Sequence, residues 1–588
     1  MRSQIVDALD SGVASTTKIG AGLSPPPTIK FTSLRFSDGT ECQLGATDIV
    51  VFVGPNNAGK SAALGDLEGI LGNDNHSGTV IKSAETTRSG TIADLHAYLA
   101  KHGRLTSVAG IKYYTGIGFR FPEAELQNHF SSGGIRSFFC SRIRTEDRII
   151  FGNERRNIDN ASGHPEHPTH ILLTDRDAAK RICNYFNRAF SKDLFPFYGR
   201  GLMASLLVGT EPAYDANERP TDQSYINKVH ASAWALDRQG DGMRSFASVA
   251  IGLLTTLSQS VLLLDEPEAF LHPPQARLLG EFIAKERPPH SQVFIATHSA
   301  DVVQGIVGAA QNHLRIFRIV RDGNVNRFRE LNNEQIKAIG NDPLMRYSGV
   351  LSGMFHERAI VCEGDADCMF YNALVNLPGI RGQAEPDVVF VHSAGLGRVP
   401  SLATALNALG VRTDVIVDFD VLRDPTNLQR VTTAAGVDWL TIEQPAESVR
   451  KAVNNKKLKQ PSERAKQQIE ELLKQVPDTE EFPTDFVEKV RRLANATSPW
   501  GLLKEVGKVG IPSGTPFNEY EKLETACNAA GMWIVPVGEL EGWRKDVGGH
   551  GPSWAQQVVS DPNFEHDPNL ADARAFMTRI WKRKPSSQ

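Results

Sequence analysis

Long apolar runs without polar alternation mark the strands that this chain is expected to form. They occur at residues 48–53, 260–264 and 292–296, and a helical pattern at residues 60–71 follows the first of them. A strand that is apolar throughout is buried on both faces, which is typical of a parallel sheet covered by helices. The first half of the chain is therefore expected to be an α/β domain.

A similar pattern starts again after about residue 346. Strands and helices are expected to alternate in this region, with strands at 358–362, 387–392 and 413–417 and helices at 367–376 and 399–409. This β-α-β-α-β order predicts a second, smaller α/β domain.

Two further segments are expected to be mainly helical. Residues 170–235 lie within the first domain and could serve as a dimerisation element, whereas the charged residues 445–505 suggest a helical insertion in the second domain. The expected organisation is an N-terminal extension at 1–28, a first α/β domain at 29–345 and a second at 346–588.

The composition is that of an ordinary globular protein. A chain of 588 residues is too long for one core and is expected to form two to four domains, at roughly 150 residues each. Hydrophobic residues make up 40% and charged residues 22%. The net charge of −4 neither favours nor excludes nucleic acid, because a basic groove can coexist with an acidic remainder.

The cysteines and the N-terminus indicate where the protein works. Six cysteines are scattered without a C-x-x-C pair, which argues against a structural zinc site and against a disulfide framework. The first residues lack the apolar core of a signal peptide, and no apolar run approaches the ~20 residues that cross a bilayer. We expect a cytoplasmic protein without a membrane partner.

The chain contains one highly specific motif, the run Gly54-Pro55-Asn56-Asn57-Ala58-Gly59-Lys60-Ser61. It fits the phosphate-loop pattern G-x-x-x-x-G-K-[ST] in full and stands between an expected strand and an expected helix. In such a loop the backbone N–H groups close around phosphate, the lysine reaches the β- and γ-phosphates, and the serine binds Mg²⁺. The sequence therefore predicts an ATP site formed by Gly54, Asn57, Gly59, Lys60, Ser61 and Ala62.

Two later strands end in residues that complete such a site. The strand at 260–264 runs into Asp265 and Glu266, and the strand at 292–296 ends at Thr297 and His298. One carboxylate is then expected near Mg²⁺, and the next can polarise an attacking water. The histidine is placed where it can sense the γ-phosphate.

These motifs resemble the ATPase heads of the ABC/SMC superfamily, especially those of RecF-like DNA-repair proteins. The resemblance implies that Asp265 holds Mg²⁺ through water, that Glu266 is the catalytic base and that His298 is the switch histidine. It also places Gly240 and Gly242 at the signature motif, although residues 239–245 depart from the family's LSGGQ consensus. Such heads hydrolyse ATP as a sandwich of two, so the resemblance implies a homodimer or a higher oligomer.

A second group of acids follows strands of the second domain. Glu363 comes after the strand at 358–362, and Asp418 and Asp420 come after the strand at 413–417. Because the ends of parallel strands meet at one edge of a sheet, we expect these carboxylates to converge. Converging like charges need a cation, and two divalent ions ~3.5–4 Å apart can support phosphodiester cleavage. Each acid taken alone could equally be a solvated loop residue.

The arrangement of these acids, with Glu after the first strand and Asp-x-Asp after a later one, resembles that of the Toprim fold of topoisomerases, primases and OLD-family nucleases. Asp367 matches a further acidic position of the OLD subgroup, and a second-metal acid is expected after a later strand, where Glu541 fits, with Glu539 as the alternative. The resemblance also implies a late lysine near the scissile phosphate. Lys545 is the nearest candidate, and its role stays open.

An ABC-type head followed by a Toprim domain is the arrangement of OLD-family nucleases, including the nuclease of Gabija-type anti-phage systems. The resemblance covers residues of about 30–345 and 350–560. It implies an ATP-regulated DNA endonuclease or nickase of bacterial anti-phage defence, with ATP and Mg²⁺ as cofactors and Mn²⁺ or Ca²⁺ as alternatives at the second site. DNA, and a partner protein from a defence operon, are the implied partners. The alternatives are a non-nucleolytic ATPase sensor and a RecF-like repair ATPase.

Overall fold

The computed structural model describes residues 27–72, 76–102, 104–116, 119–132, 136–151, 153, 155–156, 167–200, 203–255, 259–323, 325–331, 334–336, 350–383, 385–456, 462–474 and 498–583. The predicted N-terminal extension at 1–28 lies outside these residues except for its last two positions.

Strands and helices of the first part occupy residues 27–336. The strands are β1 (Thr28–Phe36), β2 (Glu41–Gln43), β3 (Ile49–Val53), β4 (Ile81–Ser89), β5 (Arg104–Val108), β6 (Ile111–Gly116), β7 (Phe119–Pro122), β8 (Cys140–Ile143), β9 (Arg155–Arg156), β10 (Asp193–Arg200), β11 (Met203–Gly209), β12 (Ala233–Ala235), β13 (Val261–Asp265), β14 (Gln292–Ala296), β15 (Leu314–Asp322) and β16 (Val325–Leu331). The helices are α1 (Lys60–Gly72), α2 (Ile92–His102), α3 (Leu126–Ser132), α4 (Thr145–Phe151), α5 (Pro168–Thr174), α6 (Arg176–Phe190), α7 (Gln223–Ser232), α8 (Asp241–Thr255), α9 (Pro273–Glu286) and α10 (Ala300–Ala309).

The central sheet of this part has the strand order β16-β15-β3-β14-β13-β8. Its neighbouring strands are parallel except for β15 and β16, which are antiparallel. Alternate residues of β3 face two different cores. Ile49 and Val51 pack on the side of α8, α9 and α10, whereas Val50 and Phe52 pack on the side of β1 and α1. The predicted parallel sheet, buried on both faces, is confirmed for β3, β13 and β14.

Smaller antiparallel sheets surround this central sheet, in the orders β2-β1-β4, β5-β6-β7 and β10-β11-β12. The last of them shows that the prediction of a mainly helical segment at 170–235 is wrong for β10 and β11, although α5, α6 and α7 are helical as expected. Leu194 and Leu206 of this hairpin face the main core, and Phe195 and Leu207 face a small separate core. A hairpin buried on both faces lacks the polar alternation that distinguishes a strand from a helix.

The second part begins at residue 350. Its strands are β17 (Arg358–Cys362), β18 (Val388–His392), β19 (Arg412–Val417) and β20 (Met532–Ile534). Its helices are α11 (Val350–Gly353), α12 (Asp365–Val375), α13 (Pro378–Arg381), α14 (Val399–Ala408), α15 (Pro425–Ala435), α16 (Trp439–Asn454), α17 (Ser462–Leu473), α18 (Pro499–Val506), α19 (Thr515–Ala530), α20 (Pro552–Val559) and α21 (Ala571–Lys582).

These strands form a parallel sheet in the order β18-β17-β19-β20. Ala359 and Val361 of β17 face the core that contains α14 and α19, and Ile360 and Cys362 face the core that contains α12, α20 and α21. The predicted second α/β domain is therefore confirmed in its element order. Its carboxyl-end edge carries the residues that follow β17, β19 and β20.

The helical insertion of the second part is larger than predicted. It separates β19 from β20 and runs from the start of α15 to the end of α19, whereas the sequence suggested only residues 445–505. Within that predicted range, residues 457–461 and 475–497 lie outside the described part of the chain. The insertion brings α18 back to the sheet edge, next to the chain that leaves β20.

The two parts share one continuous hydrophobic core and a buried arginine. Leu314 and Ile316 of β15 belong to the same core as Leu406 and Leu409 of the second part. Arg318 of β15 is 1% exposed, and among the described residues its guanidinium donates to three carbonyl groups of the second part. The central sheet of the first part is thus bonded directly to the second.

Among the described helices, none is long and apolar enough to cross a membrane.

Candidate functional site

The phosphate-loop residues lie at the carboxyl edge of the central sheet. The loop follows β3, Thr297 and His298 follow β14, and Asp265 ends β13, and these three strands are neighbours in the sheet. The predicted nucleotide site is therefore assembled on adjacent parallel strands, the usual ligand position in such sheets.

The loop itself has the backbone that close phosphate contact requires. Asn57 and Gly59 have φ of 62° and 97°, in the left-handed region. A Cβ at Gly54 would lie 2.1 Å from the carbonyl oxygen of Ile319, so glycine is needed there. Lys60 Nζ donates to the carbonyl oxygens of Gly54 (2.9 Å) and Pro55 (2.8 Å). Burial lowers the pKa of Lys60 to about 8.

Ser61 and Asp265 meet as predicted. Ser61 Oγ donates to Asp265 Oδ1 at 2.7 Å, and Ser61 and Ala62 are exposed at the start of α1. A serine hydroxyl beside a carboxylate supplies the oxygen donors that Mg²⁺ prefers. These two residues fit a Mg²⁺ ion that accompanies ATP.

Two arginines that sequence reasoning missed hold this edge together. Arg142 lies on β8, the neighbour of β13 in the sheet, and places its guanidinium 3.0 Å from Asp265 Oδ2 and 3.0 Å from Glu68 Oε2. Arg148 is 1% exposed and donates to the Asp265 carbonyl oxygen at 2.9 Å and to Ser245 Oγ at 3.4 Å. Neither belongs to a recognisable motif, so only the fold brings them to Asp265.

Glu266 and His298 also come together. His298 Nε2 lies 2.9 Å from Glu266 Oε1, and each side chain is 37% exposed. Glu266 has φ of 45°, an uncommon backbone for glutamate and of the kind that concentrates at functional sites. Burial and the charge of Lys60 lower the pKa of His298, against the opposing charge of Glu266.

Glu268 holds the backbone of His298 in place through hydrogen bonds. Its Oε1 accepts hydrogen bonds from the His298 backbone N–H (2.7 Å) and from Thr297 Oγ1 (2.8 Å), so it fixes the turn after β14. Burial raises the pKa of Glu268. Glu268 lies two residues after Glu266, but the sequence alone assigned it no role.

Gly240 and Gly242 lie at the start of α8. A Cβ at Gly242 would lie 2.7 Å from the carbonyl oxygen of Phe270, and the space beside Gly240 is open. Within the described part of one chain, neither glycine forms a backbone hydrogen bond to residues 54–61. A role for them in gripping ATP would therefore require a second copy of the chain.

The second group of acids converges at the carboxyl edge of the second sheet. Glu363 follows β17, and its Oε1 accepts the backbone N–H of Asp418, which follows β19, at 2.9 Å. The Phe419 N–H donates to the Gly538 carbonyl oxygen at 2.8 Å, which joins the ends of β19 and β20. Asp420 follows in a short 3₁₀ turn. The predicted convergence of Glu363, Asp418 and Asp420 is thus present in the fold.

These carboxylates strongly influence one another. Burial raises the pKa of Glu363 to about 7, and the charges of Asp420 and Asp367 add to the shift. Burial and the neighbouring charges of Glu363, Asp367 and Asp420 raise the pKa of Asp418 well above its usual value. Burial raises the pKa of Asp367 to about 6, and the charge of Glu541 contributes.

This donor set fits a divalent cation chemically. Carboxylates that raise one another's pKa gain most from a nearby positive charge, and carboxylate oxygens are the ligands that Mg²⁺ prefers. In the part of the chain that is described, no three Asp, Glu, His or Cys side chains already stand in a ready-made metal geometry. Binding would therefore involve side-chain adjustment at this edge.

Glu539 and Glu541, the two alternatives for a later ligand, have different partners. Glu541 Oε1 accepts the Gly551 N–H at 2.6 Å and lies 2.5 Å from His550 Nδ1, and these bonds lower its pKa against the effect of burial. Glu539 Oε2 lies 3.5 Å from Lys504 Nζ. Both acids line the same edge.

Lys504 is the residue at this site that sequence reasoning missed most clearly. It comes from α18 in the helical insertion, and its Nζ lies 3.6 Å from Asp420 Oδ2. A cavity of about 100 Å³ is lined by Lys504, Lys545, Glu539 and Glu541, among others. Lys545, the candidate from the sequence, borders this cavity, but no ion pair involving it is recorded among the described residues.

Comparisons with known proteins agree with the first site. Residues 49–303 match the family described as "AAA domain, putative AbiEii toxin, Type IV TA system". The matched stretch contains the phosphate loop, Asp265, Glu266 and His298. These residues form an ATPase domain.

The other similarities are more distant. The Old nuclease of Escherichia phage P2 is 24% identical over 171 residues, which are 28% of this chain and 28% of that protein. The chain therefore aligns with little more than a quarter of that relative's length. A crystal structure of an SmcHead bound to the C-winged helix domain of ScpA covers 53% of this chain and all of its own, with 13% identity and a TM-score of 0.33. The SMC head domain from Thermotoga maritima covers 52% of this chain and all of its own, with 12% identity and a TM-score of 0.28.

Proposed function

We propose that this protein is an ATP-regulated, divalent-metal-dependent DNA endonuclease or nickase. One observation carries the proposal: a chain with an ATPase domain has a second carboxylate edge on a separate parallel sheet. There, burial and neighbouring acidic charges raise the pKa of Glu363, Asp367 and Asp418, and Asp420 is one of those neighbours. The distant similarity to the Old nuclease of phage P2 supports the same assignment.

The carboxylate edge would hold one or two Mg²⁺ or Mn²⁺ ions. The ligands we propose are Glu363, Asp418 and Asp420 on one side and Asp367, with Glu541 or Glu539, on the other. When bound, such ions neutralise phosphate charge and lower the pKa of water.

Glu363 would serve as a ligand of the ion at this edge. Its pKa of about 7 without an ion leaves it partly ionised at neutral pH, and a bound cation would favour the ionised carboxylate that coordinates it. Its position is held by the hydrogen bond from the Asp418 N–H. Asp418 and Asp420 would hold the cation, and the cation's positive charge would orient the phosphodiester.

ATP would act as a regulator rather than as a reactant in cleavage. In the proposed first site Lys60 binds the phosphates, Ser61 and Asp265 bind Mg²⁺, Glu266 activates water and His298 senses the γ-phosphate. Gly240 and Gly242 would complete the site of a second copy, so that ATP closes a homodimer. A movement of the ATPase domains would be transmitted to the carboxylate edge through β15 and Arg318.

The biological setting that we propose is bacterial defence against phage, and this part of the proposal rests on the resemblance to OLD-family nucleases alone. A partner protein from the same operon belongs to that proposal.

The test is cleavage of supercoiled plasmid by the purified full chain with Mg²⁺ or Mn²⁺, with and without ATP. We expect nicked or linear DNA from the wild type and none from the double variant Glu363→Ala with Asp418→Ala. Glu443→Ala, an exposed acid on α16, is the control and should cleave normally. Retained ATP hydrolysis in the double variant would show that the loss is local.

The rival function is an ATPase sensor whose second domain only docks DNA or a partner. It predicts ATP hydrolysis without any cleavage of plasmid by the wild type. Cleavage that survives in the double variant would instead place a nuclease site elsewhere in the chain.

A further inference from the structure

Lys504 stands between two of the acids proposed as metal ligands. Its Nζ lies 3.6 Å from Asp420 Oδ2 and 3.5 Å from Glu539 Oε2. Asp420 follows β19 and Glu539 follows β20, so the ammonium joins the ends of two neighbouring strands. The side chain is 38% exposed and therefore remains able to move.

The backbone around Lys504 packs closely against the segment that follows β20. A Cβ at Gly538 would lie 2.1 Å from the Lys504 carbonyl oxygen, and a Cβ at Gly507 would lie 2.0 Å from the Pro536 carbonyl oxygen. Both glycines have positive φ, of 107° and 66°. The Lys508 N–H also donates to the Pro536 carbonyl oxygen at 2.9 Å. Because glycines permit this close approach, α18 is held against the turn that precedes Glu539.

The Lys504 ammonium and a divalent ion would compete for the same carboxylates, Asp420 and Glu539. Carboxylate oxygens bind Mg²⁺ at about 2.0–2.1 Å, and an ion so bound would stand within a few ångströms of Lys504 Nζ and repel it. One carboxylate cannot interact with the ammonium and with the divalent ion as strongly as it would with either alone. Each of the two therefore weakens the other.

We propose that Lys504 is a built-in counter-ion of the carboxylate edge, which a divalent cation must displace from Asp420 and Glu539. Lys504 thereby sets the metal concentration at which the site fills, and it is a positioning residue rather than a ligand. This inference rests on the metal site of the proposed function. Lys545 borders the same cavity without a recorded ion pair to these acids and is the natural comparison.

The test is a calorimetric titration of the full-length protein with Mn²⁺, in the absence of nucleotide. Heat that is lost in Glu363→Gln identifies binding at the carboxylate edge. We expect Lys504→Met to bind Mn²⁺ there roughly threefold to thirtyfold more tightly than the wild type, the range expected for the loss of two partly exposed ion pairs. Lys504→Arg should resemble the wild type, and Lys545→Met should change the affinity less than Lys504→Met.

The outcomes separate this inference from the proposed function. Unchanged or weaker Mn²⁺ binding by Lys504→Met, with Glu363-dependent binding present in the wild type, would overturn the inference alone. A wild type without any Glu363-dependent Mn²⁺ binding would overturn the proposed metal site and the inference with it.

Discussion

Nη1 of Arg318 donates to the carbonyl oxygen of Gly410 at 2.9 Å, across the junction between the ATPase domain and the second sheet. The same guanidinium donates to the carbonyl oxygens of Met354 (3.1 Å) and His356 (2.6 Å). On one side, β15 pairs with the phosphate-loop strand β3, and on the other, Gly410 shortly precedes β19, the strand that Asp418 follows. One buried side chain thus bonds the strand beside β3 to the segments that lead into β17 and β19.

Arg318→Met is expected to destabilise this junction. The substitution leaves three carbonyl groups without their donor in a buried place, which should lower the free energy of unfolding by on the order of 3 kcal/mol. Thermal unfolding measures the effect. Arg321→Met is the control, because Arg321 is exposed and its recorded bond is to the nearby Gly323 carbonyl oxygen. An equal fall in both variants would contradict the assigned role of Arg318.

Asp414 lies on β19 and Asp418 directly follows that strand, but the two should behave differently. Asp414 is fully buried, and its carboxylate accepts from Arg358 (2.6 and 2.8 Å), Arg583 (2.8 Å) and the Trp533 indole (3.0 Å). Asp414→Asn leaves buried cations uncompensated and should lower the free energy of unfolding by about 3 kcal/mol. Asp418→Asn removes a charge crowded by other acids, so it should keep or raise stability while it abolishes cleavage.

Urea unfolding and plasmid cleavage, measured on both variants, check this pair. A folded Asp418→Asn that still cleaves, or an Asp414→Asn as stable as the wild type, would show that the two carboxylates have been assigned the wrong tasks.

Glu266→Gln is expected to slow ATP hydrolysis by roughly 10²–10⁴-fold while ATP still binds, because the amide cannot accept the proton of water. The measurements are steady-state phosphate release and the affinity for a fluorescent ATP analogue. Glu286→Gln changes a carboxylate of α9 that pairs with Arg181, away from the phosphate loop, and should hydrolyse ATP normally. Equal hydrolysis by wild type and Glu266→Gln would require a different base.

The raised pKa of Glu363 predicts a dependence of stability on pH. The pKa of Glu363 is about 7 in the folded protein, against an ordinary value of 4.5. The folded protein therefore holds this proton more tightly than the unfolded chain. The Glu363 contribution to stability is therefore full below pH about 4.5 and is lost as the pH rises through about 7. Glu363→Gln keeps an oxygen for the Asp418 N–H but has no charge, so without divalent ions it should become more stable than the wild type as the pH rises through this window.

Thermal unfolding in EDTA between pH 5 and pH 8 checks the sign, with a difference on the order of a few degrees at the upper end. Added Mg²⁺ should stabilise the wild type at pH 8 more than Glu363→Gln. A difference that shrinks as the pH rises would be the opposite of the expected behaviour.

The sequence predicts the sheets well because their strands are buried on both faces. Gln292–Ala296 and Arg358–Cys362 have the bounds expected from their apolar runs. The hairpin of β10 and β11 could not be recognised in the same way, since a short apolar run between helices fits either structure.

Some residues of the candidate sites could be predicted from the sequence and others could not. Residues that directly follow a strand, such as Asp265 and Glu363, could be predicted, because parallel strands place their ends at one edge. Arg142 and Lys504 could not, since they reach the acids from distant segments that carry no motif. Asp414 shows the converse: it stands close to Asp418 in sequence, but its bonds to Arg358 and Arg583 make it structural.

The central claim is that one chain holds an ATP site that regulates a separate carboxylate nuclease site. The most direct measurement compares wild type, Lys60→Ala and Glu363→Gln for ATP hydrolysis and for plasmid cleavage with and without ATP. We predict that Glu363→Gln hydrolyses ATP but does not cleave, and that Lys60→Ala loses hydrolysis and its cleavage no longer responds to ATP. Plasmid cleavage by Glu363→Gln at the wild-type rate, or cleavage by Lys60→Ala that still responds to ATP, would contradict the account.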